Sequence, residues 1–355
     1  MTPTYDKIHM LFRLNGGSYG FEELKEVAYS YIKEGEHYEK IMGRFLLDWL
    51  DDKDHILVHT SGSTGKPKTI KLKKQAMVNS SIATGDYLKL KPGDTSLHCL
   101  PCNYIAGKMM LVRAMILGLE LDVVEPTSQP IFDYDKVYHF VAMLPMQLEL
   151  TLGYLHNVKN IIVGGSSVSK HLVGLVQSLK CKVYATYGMT ETATHIALKP
   201  LNLKSKTPYF KALPGVKLSQ DDRGCLVVDA PSVSEEIIIT NDLVTLHSTT
   251  EFEWLGRIDN VINSGGVKLF PEQIEEKLKG HIKTQFFIAS EPDERLGEHL
   301  VLVLESDSDT LDKTVFDELE KFEIPKKIYA VPKFLMTPTG KIQRKETLKA
   351  CSVLI

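Results

Sequence analysis

Hydrophobic residues recur at helical spacing near the start of the chain. In residues 21–32 and 38–50, apolar side chains return every three or four positions among charged ones. This is the period of a helix that buries one face and leaves the other in water. We therefore expect two amphipathic helices before residue 55.

From residue 55 the pattern changes to short apolar runs that alternate with longer amphipathic stretches. The runs typical of buried strands are residues 56–59, 96–100, 119–124, 140–143, 160–163 and 182–185. The stretches with a helical period are residues 74–88, 107–117, 145–152 and 170–179. Strands that alternate with helices predict an α/β layer around a largely parallel sheet.

After Pro200 the chain becomes rich in strand patterns and then changes again. Short runs at 215–218, 225–229, 236–240 and 244–248 are separated by turn residues. Beyond residue 256 we expect a helix at 271–278, strands at 284–289 and 300–304, and a helix at 311–322. The prediction is an α/β fold with a large N-terminal α/β domain and a β-rich subdomain (residues 1–258), and a small C-terminal α+β domain (residues 259–355).

Composition narrows the class of protein. The chain has 355 residues, of which 43% are hydrophobic and 25% charged, and its formal net charge is −3. A nearly neutral chain lacks the basic footprint of a nucleic-acid binder, and no apolar stretch approaches the roughly 18 residues of a membrane span. The first residues carry charges where a signal peptide would have an apolar run, and five cysteines are few. We expect a cytoplasmic enzyme.

A loop rich in hydroxyl groups, glycine and lysine follows the predicted strand at 56–59. Glycines let a backbone approach a ligand closely, and hydroxyls, exposed N–H groups and lysines suit the oxygens of a polyphosphate. The spacing differs from that of a Walker A loop, and a flexible hairpin tip is the alternative. The candidate phosphate-binding residues are Thr60, Ser61, Gly62, Ser63, Thr64, Gly65 and Lys68.

Four segments in order resemble the acyl-adenylate-forming enzymes, the superfamily of acyl-CoA synthetases, peptide-synthetase adenylation domains and luciferases. The phosphate loop is the first, and residues 187–191 (YGMTE) are the second. Residues 256–259 (GRID) with 263–275 (NSGGVKLFPEQIE) are similar to the inter-domain hinge and the motif after it. Residues 338–344 (PTGKIQR) resemble the loop of the catalytic lysine. The resemblance spans about residues 55–348, although the segment before the phosphate loop is shorter than in many relatives.

The resemblance implies two half-reactions and a set of site residues. A carboxylate attacks the α-phosphorus of ATP, and a thiol, usually that of coenzyme A, then displaces AMP. The catalytic candidates are Lys341, on a C-terminal domain that is expected to move, together with Thr190 and Glu191, the last a ligand for Mg²⁺. Tyr187, Gly188, Met189, Gly164, Gly165, Ser166, Asp242 and Arg257 are expected to hold the nucleotide. Asp259 is the expected hinge, and Gly265, Gly266 and Lys268 are expected to contact coenzyme A.

Asp242 occupies the last position of the segment Thr240-Asn241-Asp242, where the family has Thr-Gly-Asp. A carboxylate at this position accepts both ribose hydroxyls in the implied site. Asn tolerates positive φ, so we expect the segment to form a turn. The alternative is an ordinary Asn-Asp turn without a ligand.

Residues 100–113 and 190–195 resemble most closely the o-succinylbenzoate–CoA ligases of menaquinone synthesis. In those enzymes an arginine six places after a glycine is a candidate partner for the carboxylate that does not react, and here Arg113 follows Gly107 at that spacing. A bidentate guanidinium would hold one end of a dicarboxylate while the other end is activated. Asn103 and Tyr104 are further substrate candidates, and an arginine that reaches solvent is the alternative for Arg113.

Three other functions remain open at this point. The chain could activate a different aryl or acyl acid, could load a carrier-protein thiol instead of coenzyme A, or could bind nucleotide without catalysis. The joint presence of Glu191, Asp242, Arg257 and Lys341 disfavours the last of these. The sequence leaves the oligomeric state open, a homodimer included. Cys99 and Cys102 have CxxC spacing, but no second pair completes a zinc site.

Overall fold

The computed structural model describes residues 3–59, 69–202, 208–336 and 342–353. Both amphipathic helices predicted near the start are confirmed, and each begins within one residue of the predicted position. The elements of this first part are β1 (Arg13–Leu14), β2 (Gly17–Ser18), α1 (Phe21–Glu34), α2 (His37–Trp49), β3 (His55–His59) and β4 (Thr69–Lys73).

The next part confirms the predicted α/β layer. Strands β6, β5, β7, β8 and β9 lie side by side in that order and run parallel to one another. The central strand β7 is buried along nearly its whole length, as is typical of a parallel sheet whose faces are covered by helices. The elements are α3 (Lys74–Leu88), β5 (Thr95–His98), α4 (Ile105–Leu117), β6 (Glu120–Val123), β7 (Tyr138–Met143), α5 (Pro145–Thr151), β8 (Val158–Val163), α6 (Lys170–Val176) and β9 (Lys182–Gly188).

The β-rich part continues the same sheet with antiparallel strands. β10 pairs antiparallel with β9, and β11, β15, β14, β13 and β12 follow outward, so one sheet of 13 strands crosses both parts. The elements are β10 (His195–Pro200), β11 (Phe210–Ala212), β12 (Lys217–Gln220), β13 (Cys225–Asp229), β14 (Ile238–Ser248) and β15 (Glu251–Arg257).

The C-terminal part forms a second sheet of five strands with its own buried residues. Ile262, Ile288 and Leu302 pack in this separate core. The mixed α/β class is therefore confirmed, whereas the exact division at residue 258 stays a prediction. The elements are β16 (Ile262–Ser264), β17 (Val267–Leu269), α7 (Pro271–Leu278), β18 (Phe286–Asp293), β19 (Gly297–Glu305), β20 (Lys327–Val331) and α8 (Arg344–Val353).

Helix α4 lies within the core of the α/β layer. Nine of its 13 residues are buried, and they occupy every side of the helix. A helix that is apolar all round is typical of a protein interior, and α4 ends at Gly118, whose φ of 71° is the left-handed conformation that glycine adopts without strain. Arg113 is the charged residue among the nine, so its guanidinium is enclosed by the core.

The turn predicted at residues 240–242 is wrong. The runs at 236–240 and 244–248 belong to one strand, β14, and Asn241 has no positive φ. The strand persists because Asp242 lies opposite Arg257 of β15, and an opposite-charge pair favours cross-strand pairing. The register shifts between Leu243 and Val244, so the strand bends just after Asp242.

The helix predicted at 311–322 is also wrong. The structure has a single 3₁₀ turn at Lys313–Phe316, whose N-terminus is capped by the Asp312 carboxylate. The chain then continues in tight turns in which Leu319 N–H donates to the Phe316 carbonyl, three residues back. The apolar residues whose spacing predicted a helix are therefore brought to the core by short turns instead.

The run at 56–59 is a strand, as predicted, but it lies outside the parallel sheet. As β3 it pairs antiparallel with β4, and this hairpin is a separate two-stranded sheet. The segment between the two strands, residues 60–68, lies outside the described residues. Within the described ranges, no helix combines the length and hydropathy that a membrane crossing requires.

We predict that Leu302→Ala lowers the free energy of unfolding by about 2–5 kcal/mol, because it leaves a cavity in a core where Leu302 is fully buried. Leu57→Ala is the matched control. Leu57 is 57% exposed on the β3–β4 hairpin, so the same change should cost less than about 0.5 kcal/mol. Urea unfolding measures both, and equal effects would contradict the separate C-terminal core.

Candidate active site

A cavity of about 1150 Å³ opens at the carboxyl ends of the parallel strands. Met143, Val163 and Ala185, on β7, β8 and β9, contribute to its floor. The carboxyl edge of a parallel sheet is where α/β proteins bind ligands, because the loops that follow the strands all emerge there. Helix α4 borders one side of the cavity, and α7 of the C-terminal part borders another.

The structure brings part of the predicted site together around this cavity. The described candidates that line it are Gly164, Gly165, Ser166, Tyr187, Gly188, Met189, Thr190, Asp242 and Arg113. The described candidates that do not line it are Asn103, Tyr104, Glu191, Arg257, Asp259, Gly265, Gly266 and Lys268. Thr60, Ser61, Gly62, Ser63, Thr64, Gly65, Lys68 and Lys341 lie outside the described residues.

The loop after β8 needs glycine at two successive positions. A Cβ on Gly164 would lie 2.2 Å from the Thr186 hydroxyl oxygen on the neighbouring strand, which is inside van der Waals contact. Gly165 has a φ of +87°, a conformation that side chains disfavour. The backbone of this loop is therefore free of side chains where it faces the cavity.

Gly188, at the end of β9, lies against the start of β10. A Cβ there would be 2.3 Å from the Thr194 carbonyl oxygen and 2.4 Å from the His195 Cα. Any side chain at position 188 would push these two strands apart. The glycine in the YGMTE segment thus has a packing reason that is independent of any ligand.

Tyr187 and Asp242 are joined by a hydrogen bond. The Tyr187 hydroxyl donates to Asp242 Oδ2 at 2.7 Å, and the ring packs edge-on against Phe252. Burial, together with the Asp242 charge, raises the pKa of Tyr187, so the phenol keeps its proton and remains a donor. The ring is thus fixed from two sides, and Asp242 Oδ1 is left facing Arg257.

Arg257 links this pair to the predicted hinge. Its Nη1 lies 3.9 Å from Asp242 Oδ1, and its Nη2 donates to Asp259 Oδ2 at 2.8 Å. The Asn241 amide also points at both Asp259 oxygens, at 3.3 and 3.4 Å. The Arg257 guanidinium holds the pKa of Asp259 below its usual range. Asp242 and Asp259 therefore share one cation across the boundary near residue 258.

Arg113 is 1% exposed and lines the cavity from α4. Its Nη2 lies 3.3 Å from the Thr194 hydroxyl and 3.5 Å from His195 Nδ1, and among the described residues its Nη1 has the Met110 sulfur, at 3.8 Å, as its partner. Nε is buried without a hydrogen-bond partner in the described structure. Burial lowers the pKa of Arg113 to about 9, so it stays largely charged at neutral pH. No described carboxylate neutralises this charge.

His195 lines the cavity and contacts Thr84, and the sequence analysis identified neither residue. His195 is buried on β10, and its Nε2 lies 3.3 Å from Thr84 Oγ1 on α3. His195 comes only four residues after Glu191 of the YGMTE segment, but its link to Arg113 joins residues 82 positions apart. The sequence contains no pattern that predicts a contact between two residues this far apart.

The C-terminal part presents charged residues of α7 to the same cavity. Glu275 accepts two hydrogen bonds from Arg344, at 2.6 and 2.8 Å, and Glu276 pairs with Lys279 at 3.1 Å. Arg344 begins α8, directly after the segment that carries Lys341. The Glu275–Arg344 pair therefore holds the start of α8 beside the cavity.

Asn103 lies at a different, smaller cavity of about 180 Å³, which is bordered by His98 and Cys102. Tyr104 is 42% exposed and precedes the first turn of α4. Because the chain turns between β5 and α4, Leu100 and Ile105 line the large cavity while Asn103 and Tyr104 point elsewhere. The structure gives neither residue contact with the space next to Arg113.

Glu191 is exposed in the 3₁₀ turn that follows β9, one residue after Thr190 of the cavity. Among the described residues no cluster of three His, Cys, Asp or Glu side chains could hold a metal by itself. A single exposed carboxylate suits an ion whose other ligands are phosphate oxygens and water, as is usual for Mg²⁺. Glu191 fits that role.

Gly265 and Gly266 form the tip of the β16–β17 hairpin. Their φ values of +59° and +82° define a two-residue turn of the mirror-image type, which glycine favours, and Ser264 pairs with Val267 across it. Lys268 is exposed on β17. The glycines are thus required by the turn, and the hairpin lies away from the lining of the cavity.

All five cysteines are free and buried, and Cys102 Sγ lies 3.2 Å from His98 Nε2. Burial raises the pKa of both Cys99 and Cys102 to about 12 and lowers that of His98 to about 4. The Cys102–His98 pair is therefore neutral at pH 7, and neither thiol of the CxxC segment resembles a redox-active thiolate.

We predict that the folded protein resists alkylation by iodoacetamide at pH 8, because all five thiols are buried. With a pKa near 12, Cys99 and Cys102 are also thiolates in only about one molecule in ten thousand. Intact-mass measurement should show little labelling after an hour without denaturant and five adducts in guanidinium chloride. Rapid native labelling of Cys99 or Cys102 would contradict their burial.

A model of the family described as AMP-binding enzyme matches residues 47–244, more than half of the chain. The chain is 26% identical to the 2-succinylbenzoate–CoA ligase of Listeria monocytogenes over 353 residues, which covers 90% of this chain and 74% of that protein. With the enzyme of the same name from Escherichia coli it shares 25% identity over 329 residues, covering 87% and 71%.

Solved structures show the same fold. An acyl-CoA synthetase (AMP-forming)/AMP-acid ligase II-like protein from Dyadobacter fermentans is 37% identical, covers 92% of this chain and 98% of its own, and superposes with a TM-score of 0.61. The o-succinylbenzoate coenzyme A synthetase of Bacillus subtilis, in complex with ATP and a magnesium ion, is 17% identical, covers 97% of each chain and has a TM-score of 0.74.

The family match, the 37% identical structure and the four motifs agree. The chain therefore belongs to the AMP-binding enzymes, the acyl-adenylate-forming family that its motifs predict.

Proposed function

We propose that this enzyme ligates 2-succinylbenzoate to coenzyme A in menaquinone biosynthesis. In the first half-reaction a carboxylate oxygen attacks the α-phosphorus of ATP, and pyrophosphate leaves. In the second half-reaction the thiol sulfur of coenzyme A attacks the acyl carbon, loses its proton, and AMP leaves. The free, buried cysteines fit a reducing cytoplasm as the place of the reaction.

The buried guanidinium of Arg113 is the observation that carries this proposal. A charge taken out of water is costly unless it is paired, and Arg113 has no carboxylate partner among the described residues. It lines a cavity and keeps an unpaired Nε donor. A substrate with a second carboxylate supplies the missing anion, whereas a fatty acid would place apolar chain against this charge.

The nucleotide would occupy the opposite side of the cavity. The loop from Gly164 to Ser166 offers bare backbone to a flat base, and Tyr187 closes that side. Asp242 would accept the ribose hydroxyls through Oδ1, because Oδ2 already accepts the Tyr187 hydroxyl. Arg257, paired with Asp242 and Asp259, would restrain that carboxylate and contact the ribose.

The residues that would act on the phosphates are inferred from the family resemblance. The loop from Thr60 to Lys68 would hold the β- and γ-phosphates, and Lys341 would bridge the α-phosphate and the attacking carboxylate. Glu191 would hold Mg²⁺, which offsets phosphate charge as pyrophosphate leaves, and Thr190 would orient the same oxygens. Cations and oriented donors are needed because an anion attacks a polyanion.

The second half-reaction would use the C-terminal part. Asp259 would be the pivot, and the β16–β17 hairpin would then bring Gly265 and Gly266 to the thiol arm of coenzyme A, with Lys268 near a phosphate. This hairpin lies away from the cavity lining in the present arrangement, so the assignment requires a rotation of the C-terminal part.

Two related functions are the alternatives. The enzyme could activate another aryl or acyl acid, or it could pass the acyl group to a carrier-protein thiol. ATP–pyrophosphate exchange over a panel of carboxylic acids that contains 2-succinylbenzoate shows which acid the enzyme activates. A comparison of acyl-CoA formation with loading of a carrier protein shows which thiol accepts the acyl group. Exchange that is strongest with a monocarboxylic acid would contradict the proposed substrate.

We predict that Arg113→Met lowers kcat/KM for 2-succinylbenzoate by roughly 10²–10³-fold, because loss of one partner of a desolvated ion pair costs about 3–5 kcal/mol. Methionine keeps most of the side-chain volume, so the helix should still pack. Arg113→Lys should recover only part of the loss, since an ammonium lacks the planar array of donors. Steady-state kinetics measure all three proteins.

A benzoate that lacks the second carboxylate is the matched control substrate. It makes no ion pair with Arg113, so Arg113→Met should change its kcat/KM little, and the preference for the dicarboxylate should disappear. The ligand-free variant should also melt at a higher temperature than the original protein, because an unpaired buried charge has been removed. An equal loss of kcat/KM with both acids would show that Arg113 has a structural role and does not select the substrate.

We predict that Tyr187→Phe raises KM for ATP roughly tenfold or more, because a hydrogen bond to a charged group contributes about 1.5–3 kcal/mol. The phenyl ring keeps its packing against Phe252, and only the contact with Asp242 is lost. Tyr209→Phe is the control, since Tyr209 stacks on His247 and does not line the cavity. Equal effects of the two changes on KM for ATP would contradict the proposed contact of Asp242 with the nucleotide.

A further inference from the structure

His195 lies between Arg113 and Thr84 in a buried chain of polar groups. Arg113 Nη2 is 3.5 Å from His195 Nδ1, and His195 Nε2 is 3.3 Å from Thr84 Oγ1. This series of polar contacts ends at the Ser80 carbonyl, which accepts a hydrogen bond from the Thr84 hydroxyl at 2.9 Å. These residues come from three elements, α4, β10 and α3, so the chain connects the core on both sides of the imidazole.

The direction of each hydrogen bond follows from the donors available. A guanidinium can only donate, so His195 Nδ1 must be the unprotonated nitrogen that accepts. The Thr84 hydroxyl gives its proton to the Ser80 carbonyl, so its oxygen is free to accept from His195 Nε2–H. Every contact is therefore satisfied by one neutral tautomer, the one with its proton on Nε2.

Protonation of the imidazole would break this arrangement. A second proton on Nδ1 would point at the Arg113 guanidinium and put two cations side by side. Burial, with the Arg113 charge, lowers the pKa of His195 well below its usual value, which keeps the acceptor available at neutral pH.

We propose that His195 is a positioning residue that fixes the Arg113 guanidinium at the acyl end of the cavity, in a tautomer that Thr84 selects. The identity of the anion that Arg113 binds rests on the proposed function. An arginine side chain has several rotatable bonds, and the Thr194 hydroxyl, at 3.3 Å, supplies one restraint on Nη2. The His195 acceptor is the second restraint on Nη2, and it comes from a strand that the sheet holds in place.

Two variants test the proposal by kinetics. His195→Leu removes the acceptor, and we expect KM for 2-succinylbenzoate to rise about 10- to 100-fold, with KM for ATP unchanged. His195→Gln can accept from Arg113 through its amide oxygen and donate to Thr84 through its amide nitrogen, so it should recover most of the loss. For a benzoate without the second carboxylate, both variants should resemble the original enzyme.

A structural role for His195 predicts a different result. If His195→Leu lowers the rate with both acids equally, or if His195→Gln is as impaired as His195→Leu, the positioning role is overturned. Melting temperatures of both variants show whether a general loss of folding explains the change, and His195→Gln with near-original stability keeps the comparison valid.

Nitrogen-15 NMR of the original protein with labelled histidine tests the tautomer without any substrate. We expect an unprotonated Nδ1 and a protonated Nε2 for His195, assigned by the signal lost in His195→Gln, and a shift of the Nδ1 signal in Arg113→Met. A proton on Nδ1 at neutral pH would overturn the inference. A wild-type enzyme that prefers monocarboxylic acids would instead overturn the proposed function, and the NMR result would still report on His195.

Discussion

The antiparallel pairing of β10 with the end of the parallel strand β9 is the constraint on which the site depends. It requires glycine at position 188, where any side chain would meet the β10 backbone. Because Gly188 lies opposite His195, one junction places Tyr187 toward Asp242 and His195 beside Arg113. The Tyr187–Asp242 contact and the His195–Arg113 contact are therefore both set by a single strand pair.

Arg113 shows how the fold gives up stability for this site. The other buried residues of helix α4 are apolar, and a methionine or leucine at position 113 would suit its surroundings better than a buried cation. The Thr194 and His195 acceptors offset part of the desolvation cost but do not neutralise the charge. On the proposed function, the remainder would be recovered when a substrate carboxylate enters, so the free energy that destabilises the ligand-free protein would contribute to selection of the substrate.

The sequence predicted secondary-structure elements and motifs better than it predicted the contacts between residues that are distant in sequence. Helices such as Lys74–Leu88 and Pro271–Leu278 were predicted to the residue, because their apolar spacing and their boundaries agree. The turn at Thr240–Asp242 was wrong because Arg257, distant in sequence, stabilises the strand from the opposite side. His195 was missed for a similar reason, since its partners are 82 and 111 positions away. Asn103 was assigned to the substrate from its neighbours, but it borders the smaller cavity, whereas Arg113 lines the large one.

The fixed position of Arg113 bears on which end of an asymmetric dicarboxylate reacts. Both carboxylates of such an acid are nucleophiles, and ATP itself does not distinguish them. On the proposed function, a guanidinium on a buried helix, restrained from β10, would accept one carboxylate at a set depth and leave the other to face the nucleotide. The carboxylate held at Arg113 would also be weakened as a nucleophile, because its lone pairs would be engaged by the cation. The same contact would therefore select the acid and choose the end that becomes the adenylate.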